Sequence, residues 1–239
     1  MSDQPVSIPV PGPAELHLMT RSGRVSVIGE DRPDVLVESG ASSRGIESDA
    51  TGRIKVASAK GGSAALEVRC PAGSDVVIGA MSGRVELHGP LGNVRVTTVS
   101  GDIAVERAEA LDVRTVAGSI EVGACPGQCS LRTKSGKASI GSAGDAFVST
   151  ISGSIRLGKA ARKVRAQTVS GGVRVGTQSD GDVKVQTLSG AVTVEVPEGV
   201  HPAARLASMT GRPRCDCPEG DDCHIAVRSV SGKIEVVCA

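Results

Sequence analysis

A short cysteine-rich segment near the C-terminus contains the residues whose types and spacing come closest to a metal site. In "CDCPEGDDCH", Cys215, Cys217 and Cys223 supply three thiols and His224 supplies an imidazole. Three thiolates and one imidazole can complete a tetrahedral Zn²⁺ site, with the acidic loop hydrated outside it. The same residues also fit a redox-sensitive link between Cys217 and Cys223, or plain thiols on a loop. The sequence leaves these interpretations open, and the zinc set is its metal-site prediction.

The other reactive side chains do not form a recognisable catalytic motif. Cys125 and Cys129, in "CPGQC", fall in a predicted turn and lack the spacing of a thioredoxin-type pair. The histidines are far apart in the sequence, and none lies in a triad or metalloprotease motif: they are His17, His88, His201 and His224. No glycine-rich segment is followed by a helical pattern with Lys and Ser or Thr, so no phosphate-binding loop is predicted. We therefore expect no enzymatic activity and no cofactor.

One basic segment could bind phosphate. "RLGKAARKVR" places five cations within ten residues: Arg156, Lys159, Arg162, Lys163 and Arg165. The chain has no Trp, no Tyr and one Phe, so it lacks the aromatic side chains on which nucleic-acid bases stack. Its 27 basic and 26 acidic residues leave a net charge of +1, which gives no global attraction to nucleic acid or to an anionic membrane. Nucleic-acid binding is not expected, and binding through a local patch stays open.

A repeat around a Ser-Gly pair must position all of these residues. Successive copies from Gly83 to Gly190 are separated by 18, 17, 18, 17, 18 and 19 residues, and two more follow at intervals of 21. The glycines of the repeat are Gly23, Gly83, Gly101, Gly118, Gly136, Gly153, Gly171, Gly190, Gly211 and Gly232. A period of this size indicates stacked units, none of which buries its apolar face alone.

The residue types at fixed distances from each glycine indicate strands. The residue five before the glycine is apolar in every copy, and the residue three before it is Thr or Ser in every copy but one, where it is Ala80. Apolar residues two and four after the glycine alternate with polar ones, as in a strand with one buried face. The hydroxyl column also invites comparison with ice-binding solenoids, a hypothesis that requires exposed threonines.

The residue two before the glycine is also mostly apolar, as at Val99, Ile151 and Leu188, although its parity is wrong for one straight strand. A corner at each Ser-Gly, where glycine can adopt positive φ, would bring the apolar residues of both strands to one interior. Segments such as "HGPLGN", "GACPGQ", "GSAGD" and "TQSDGD" predict a second turn in each unit.

The repeat therefore predicts an all-β fold, a single elongated β-solenoid with coils of about 17–21 residues. The alternative is an antiparallel hairpin-repeat sandwich or propeller with the Ser-Gly at each hairpin tip. Parallel stacking is favoured because it rewards ladders of like residues, and because a narrow coil has no room for aromatic rings.

The domain prediction has two parts. Residues 1–13 form a Pro-rich N-terminal tail and residues 14–239 the β-solenoid, irregular over 14–80, regular over 81–196 and with longer coils over 197–239. Residues 41–62, rich in Ser, Gly and Ala, are the expected flexible insertion. Cys215 lies four residues after Gly211, a position that is buried elsewhere in the repeat.

The repeated "T.SG.[IV].V", the opening "RSGRVSVIGEDRPDVLVES" and the "VEVPEG" elbow resemble the bacterial putative-adhesin family of β-strand-repeat proteins, a domain of unknown function. The resemblance runs from about residue 14 to the end of the chain. It implies a β-helix-like solenoid and transfers no catalytic residue. The chain differs from secreted members in showing no export signal or membrane anchor, which argues against a cell-surface role.

Taken together, the sequence predicts a non-enzymatic scaffold or protein-protein interaction module. A solenoid's end coils carry unpaired strand edges, so self-association or an end-docked partner is expected, the more so because the final repeat, "VRSVSGKIEVVCA", has almost nothing left to cover it. The alternative is a surface adhesin or carbohydrate-binding module. No membrane span and no small-molecule substrate are expected, and the expected location is cytoplasmic.

Overall fold

The computed structural model describes residues 5–39, 45–49, 53–57, 65–178 and 181–238. Regular structure in these residues is almost entirely β-strand, and among them there is no helix long and apolar enough to cross a membrane. The chain divides into two compact units, Met1–Gly118 and Ser119–Ala239. Each unit is described by itself.

The strands of the first unit are β1 Val6–Pro9, β2 Glu15–Thr20, β3 Val25–Glu30, β4 Asp34–Ser39, β5 Ile46–Ser48, β6 Arg53–Ala57, β7 Leu66–Pro71, β8 Asp75–Ser82, β9 Val85–Ser100 and β10 Ile103–Arg114. The strands of the second unit are β11 Ile120–Ser135, β12 Ala138–Ser152, β13 Ile155–Ala160, β14 Lys163–Ser170, β15 Val173–Thr177, β16 Asp182–Ser189, β17 Val192–Val196, β18 Pro202–Ser208, β19 Arg214–Cys215, β20 Cys223–Ser231 and β21 Ile234–Cys238.

Equivalent strands of successive coils pair in parallel. In the second unit the buried Val148, Ala166, Val185 and Val227 and the partly exposed Leu206 follow one another in register across β12, β14, β16, β20 and β18. A second stack runs through β13, β15, β17, β21 and β19. The predicted β-solenoid class is confirmed, and the antiparallel alternative is wrong because the coils pair in parallel. Among the described residues, antiparallel pairing occurs only at β1–β4, β4–β7 and β5–β6.

The Ser-Gly pairs form the predicted corners. Gly153 has φ 156° and Gly171 has φ 142°, values that glycine adopts easily and other residues do not. The Gly153 N–H donates to the carbonyl of Ser170 in the next coil at 3.0 Å, and the Ile155 N–H donates to Gly172 at 2.9 Å. The ladder of backbone hydrogen bonds is therefore continuous around the corner.

Most of the predicted second turns occur as bends inside long strands. Strands β9, β11 and β12 run without interruption through "HGPLGN", "GACPGQ" and "GSAGD", with an irregularity in register between Cys125 and Gln128 in β11. The two halves of such a strand pair in different stacks, as β12 pairs with β13 through residues 138–143 and with β14 through residues 146–152, so the chain turns there without ending the strand. The turn predicted at "TQSDGD" lies partly outside the described residues.

The last repeat in the sequence is not the last in space. Strands β20 and β21 lie between β16 and β17 on one side and β18 and β19 on the other. The expectation that this repeat is nearly uncovered was wrong, because the chain completes an outer coil at 202–215 and then returns to fill the gap beneath it. Both edges of the C-terminal strands are thereby paired.

The first unit has a similar arrangement at its N-terminal end. Strands β2 and β3 pair with β6 and β7 on one side and with β8 and β9 on the other. Strand β1 lies within the segment predicted to be a tail, and it pairs antiparallel with β4. The predicted flexible insertion at 41–62 lies largely outside the described residues, and its described parts contain β5 and β6. The predicted domain boundaries stay a prediction.

Candidate functional site

The four residues of the predicted zinc set do not gather into a ligand cluster. Cys217 forms a disulfide with Cys238, Cys223 is buried, and His224 lies 3.6 Å from a carboxylate oxygen of Asp221. No group of three or more His, Cys, Asp or Glu side chains that could hold a metal occurs in the described part of the chain. The zinc set stays a prediction, and its Cys217 sulfur is engaged elsewhere in this structure. The alternative link of Cys217 to Cys223 is replaced by the link to Cys238.

For Cys215 the repeat predicts the strand register correctly but predicts the burial of the side chain wrongly. It pairs with Val236, which is fully buried, so it lies in the core column that the repeat assigns to it. It is nevertheless exposed, because β19 belongs to the outermost coil of the unit and no further coil covers it. The expectation of a buried Cys215 was therefore wrong.

The remaining thiols are inert core residues. Cys125 and Cys129 lie inside β11 on either side of the irregularity in register between Cys125 and Gln128, and both are fully buried. The hydrogen bond from Cys125 and burial both raise the pKa of the Cys129 thiol far above its ordinary value. Burial raises the pKa of the Cys70 thiol to about 11 and also raises that of Cys223. Such thiols stay protonated and unreactive near neutral pH.

The hydroxyl column faces the interior. Thr98, Thr133 and Thr187 are 3%, 6% and 7% exposed. Each donates to the carbonyl two residues later, as Thr187 does to Ser189 at 3.2 Å, and so ties the strand to the start of the corner. The ice-binding hypothesis fails because it needs these hydroxyls on the outside.

The apolar residue two before each glycine points outward, which corrects the prediction that it joins the interior. In the second unit these side chains form a line along one corner of the coils, here named the corner ridge, with exposures of 51% at Ile151, 45% at Val169, 51% at Leu188, 39% at Val230 and 80% at Met209. The strand keeps its alternation up to the corner, so parity places this residue outside. Met81, Val99 and Val116 repeat the pattern in the first unit.

A basic surface, here named the basic face, adjoins the corner ridge. It consists of the outward residues two, four and six before the corner glycine on β11, β12, β14, β16, β20 and β18, and its exposed cations are Arg132, Lys134, Arg165, Lys184, Arg205 and Arg228. Arg165 and Lys184 are directly opposed on neighbouring strands. The positions two, four and six before the glycine on these strands carry no Asp or Glu. Within the described part of the chain, none of the six cations forms an ion pair.

The cluster "RLGKAARKVR" is not the basic face. Arg162 binds Asp145 at 3.0 Å, which lowers the pKa of that carboxyl group, and Arg156 lies on β13, outside the six strands of the basic face. Only Arg165 belongs to the basic face. The other cations come from distant parts of the sequence, one or two from a coil. An alignment of the repeats at the outward positions, on either side of each buried residue, would have revealed them.

The outermost strand of the second unit has a free edge. Among the described residues β18 pairs only with β20. Leu206 is partly exposed, whereas Val227, its register partner on β20, is fully buried. A shallow depression of about 340 Å³ lies beside it, lined by residues that include Leu206, Arg205 and Arg228.

The histidines remain apart in the structure. His17 lies 2.6 Å from Glu15, and His88 and His201 lie 3.7 and 3.6 Å from Glu106 and Asp222. Each of the four is thus next to a single surface carboxylate, and the fold brings no two of them into one site.

The repeat architecture agrees with a known family. The sequence profile of the Toastrack DUF4097 family matches residues 2–195 and 47–236, two overlapping ranges that together cover nearly the whole chain. The chain belongs to the Toastrack DUF4097 family. The resemblance inferred from the sequence is confirmed at this level. No curated protein matches this Toastrack chain.

Solved structures similar to the Toastrack chain include two described as putative adhesins. One, from Bacteroides fragilis NCTC 9343, is 9% identical, with 98% of this chain and 96% of that chain covered at a TM-score of 0.49. The other, from Parabacteroides distasonis ATCC 8503, is 14% identical, with 99% and 98% covered at a TM-score of 0.47. Identities this low transfer no binding residue, so what this Toastrack chain binds must be argued from its own surfaces.

Proposed function

We propose that the protein is a non-enzymatic interaction module that binds a partner protein by strand addition to β18. The observation that carries the proposal is the free edge of this seven-residue strand. An extended segment laid along it would satisfy the outward backbone groups and would cover the partly exposed Leu206. Strand β1 at the other unit's edge has four residues and ends at Pro9, and proline cannot donate to a further strand.

Charge decides which kind of strand fits. Arg205 stands in the middle of β18, and Arg228 and Lys184 lie on the neighbouring strands of the same face. If two copies paired their β18 strands about a two-fold axis, the two Arg205 side chains would meet, and opposed like charges destabilise a strand pair. An extended acidic segment of another protein is the better occupant, and self-association is the weaker alternative.

A carbohydrate-binding adhesin has less support. Sugar rings are usually held by exposed aromatic faces. The chain's one aromatic residue is Phe147, and the Arg132 guanidinium lies 5.4 Å from the centre of its ring. One face of that ring is therefore already occupied.

The test uses two synthetic seven-residue probes of equal strand propensity, one alternating Val with Glu and the other Val with Lys. The purified full chain should bind the acidic probe, and Arg205→Glu should weaken that binding and favour the basic probe. Failure to bind either probe would contradict strand addition. Light scattering of the same samples distinguishes self-association from strand addition, because self-association would raise the mass above 24.1 kDa as the protein concentration increases.

A further inference from the structure

The basic face and the corner ridge together form a surface that extends well beyond the strand edge of β18, with which it shares Lys184, Arg205 and Arg228. The face covers six parallel strands spaced about 4.8 Å apart and so spans roughly 24 Å across them, and every one of these strands except β12 carries at least one of its cations. The ridge runs along one border of this face as a line about 19 Å long. Both features belong entirely to the second unit.

Two cations of this face act against the stability of the fold. Arg165 and Lys184 are directly opposed on β14 and β16, and like charges in this arrangement repel. The outward positions on the second strand of each coil differ in carrying carboxylates as well: Arg174, although opposed to Arg156, lies 3.4 Å from Glu195, and Lys233 just before β21 pairs with Glu235. The basic face carries no such carboxylates, so its positive charge is not compensated.

Packing within the fold does not account for the corner ridge either. Ile151, Val169 and Leu188 are each about half exposed and lie in one line, whereas scattered single apolar residues are the usual surface pattern. The ridge is convex, because it stands at the corner of a coil whose interior is already filled. A convex line of aliphatic side chains fits a soft apolar phase better than it fits a rigid groove.

We propose that the basic face and corner ridge of the second unit dock on an anionic phospholipid surface, with the cations at the headgroups and the ridge at the acyl boundary. Positive charge next to exposed aliphatic side chains is the combination by which a protein attaches to such a surface without spanning it. A nucleic acid would use the charge and leave the ridge in water. An acidic protein would need a groove matching the ridge along its whole length.

The first experiment is flotation of the full-length protein with vesicles of phosphatidylglycerol and phosphatidylcholine, and with vesicles of phosphatidylcholine alone. We expect binding to the anionic vesicles only, weakening as salt rises from about 50 to about 300 mM, because the Debye length falls from roughly 14 to roughly 6 Å. Binding that is absent at low salt, or equal on both vesicle types, would overturn the proposal.

Variants locate the surface. The double variant Arg165→Gln, Lys184→Gln should lose roughly 25-fold in affinity, about fivefold for each charge removed. The double variant Arg165→Lys, Lys184→Arg, which preserves both charges, should bind the anionic vesicles as tightly as the unmodified protein. Arg174→Gln is the matched control outside the face, and it should change the affinity by less than about twofold. A loss as large for Arg174→Gln would show that only overall charge matters, and would overturn the assignment.

The ridge has its own test. Val169→Ser with Leu188→Ser should reduce vesicle binding roughly tenfold without lowering the thermal midpoint, because both side chains are already exposed. If these variants leave vesicle binding unchanged but abolish a dimer seen by light scattering, the ridge is a contact between copies and the proposal fails. A duplex DNA that binds as tightly as the vesicles, with no effect of the ridge variants, would also overturn it.

Discussion

Gly153 and Gly171 stack at successive corners so closely that a Cβ atom on Gly171 would lie 2.0 Å from the carbonyl oxygen of Gly153. The same approach recurs at other corners, such as Gly101 over Gly83 at 1.8 Å. The corner thus requires glycine for two reasons, its positive φ and the closeness of the next backbone.

Gly171→Ala should lower the free energy of unfolding by roughly 3 kcal/mol or more, because strain and overlap add. The neighbouring Gly172 is the matched control, since a Cβ there would come no nearer than 3.9 Å to the Ala191 carbonyl oxygen. Gly172→Ala should change stability by less than roughly 0.5 kcal/mol. Urea titration of both variants gives the comparison, and equal losses would contradict this account of the corner.

The two neighbouring threonines Thr168 and Thr187 should respond differently to removal of the hydroxyl. Thr187 donates to the Ser189 carbonyl, whereas the buried Thr168 hydroxyl has no hydrogen-bond partner among the described residues. Thr187→Val should cost about 1 kcal/mol, and Thr168→Val should be neutral or stabilising. Denaturant midpoints measure both, and a larger loss at Thr168 would refute the assignment.

The seven cysteines should react in three classes. Cys215 is the exposed free thiol, four others are free and buried, and Cys217 and Cys238 are joined. A thiol reagent should label one thiol in the native protein, five after unfolding and seven after reduction. A disulfide retained in protein purified without oxidant would favour an oxidising compartment over the cytoplasmic location that the sequence predicted. Seven thiols after unfolding without reductant would contradict the bond.

Cys70 should make the protein less stable in alkali. Its pKa rises from an ordinary 9.0 to about 11 because burial opposes the thiolate. Above pH 9 the unfolded chain loses this proton first, so the stability present below pH 9 falls as the pH approaches 11. The loss should reach about 2 kcal/mol. In Cys70→Ala the urea midpoint should fall less over this pH interval than in the unmodified protein, and identical slopes would rule out this thiol.

Lys184→Gln should stabilise the protein, because it removes the repulsion from Arg165. We expect a gain of roughly 0.2–1 kcal/mol at low salt that shrinks as salt is added. Lys233→Gln, which breaks the pair with Glu235, should give no gain. Thermal unfolding at two salt concentrations tests both, and a destabilised Lys184→Gln would mean that this cation supports the fold.

Much of the fold could be predicted because the repeat imposes the same local rule on each coil. Val148, Ala166 and Val185 are buried in parallel register, as their common spacing from the glycine indicates. The predicted interior position of Ile151 and Leu188 was wrong because the alternation persists up to the corner itself. The candidate site was harder to predict, since of the cations in "RLGKAARKVR" only Arg165 reaches the basic face.

The sequence by itself determined the coil, because the spacing of apolar, hydroxyl and glycine positions is a local property that each repeat carries in full. Only the tertiary structure decided which coil lies outermost, and therefore why Cys215 is exposed and β18 has a free edge. Strands β20 and β21 return beneath β18 and β19, although other coils have a nearly identical sequence pattern and could serve as neighbours. The physical reason is that parallel stacking rewards any two like coils about equally, so the local pattern specifies a good neighbour without specifying which one.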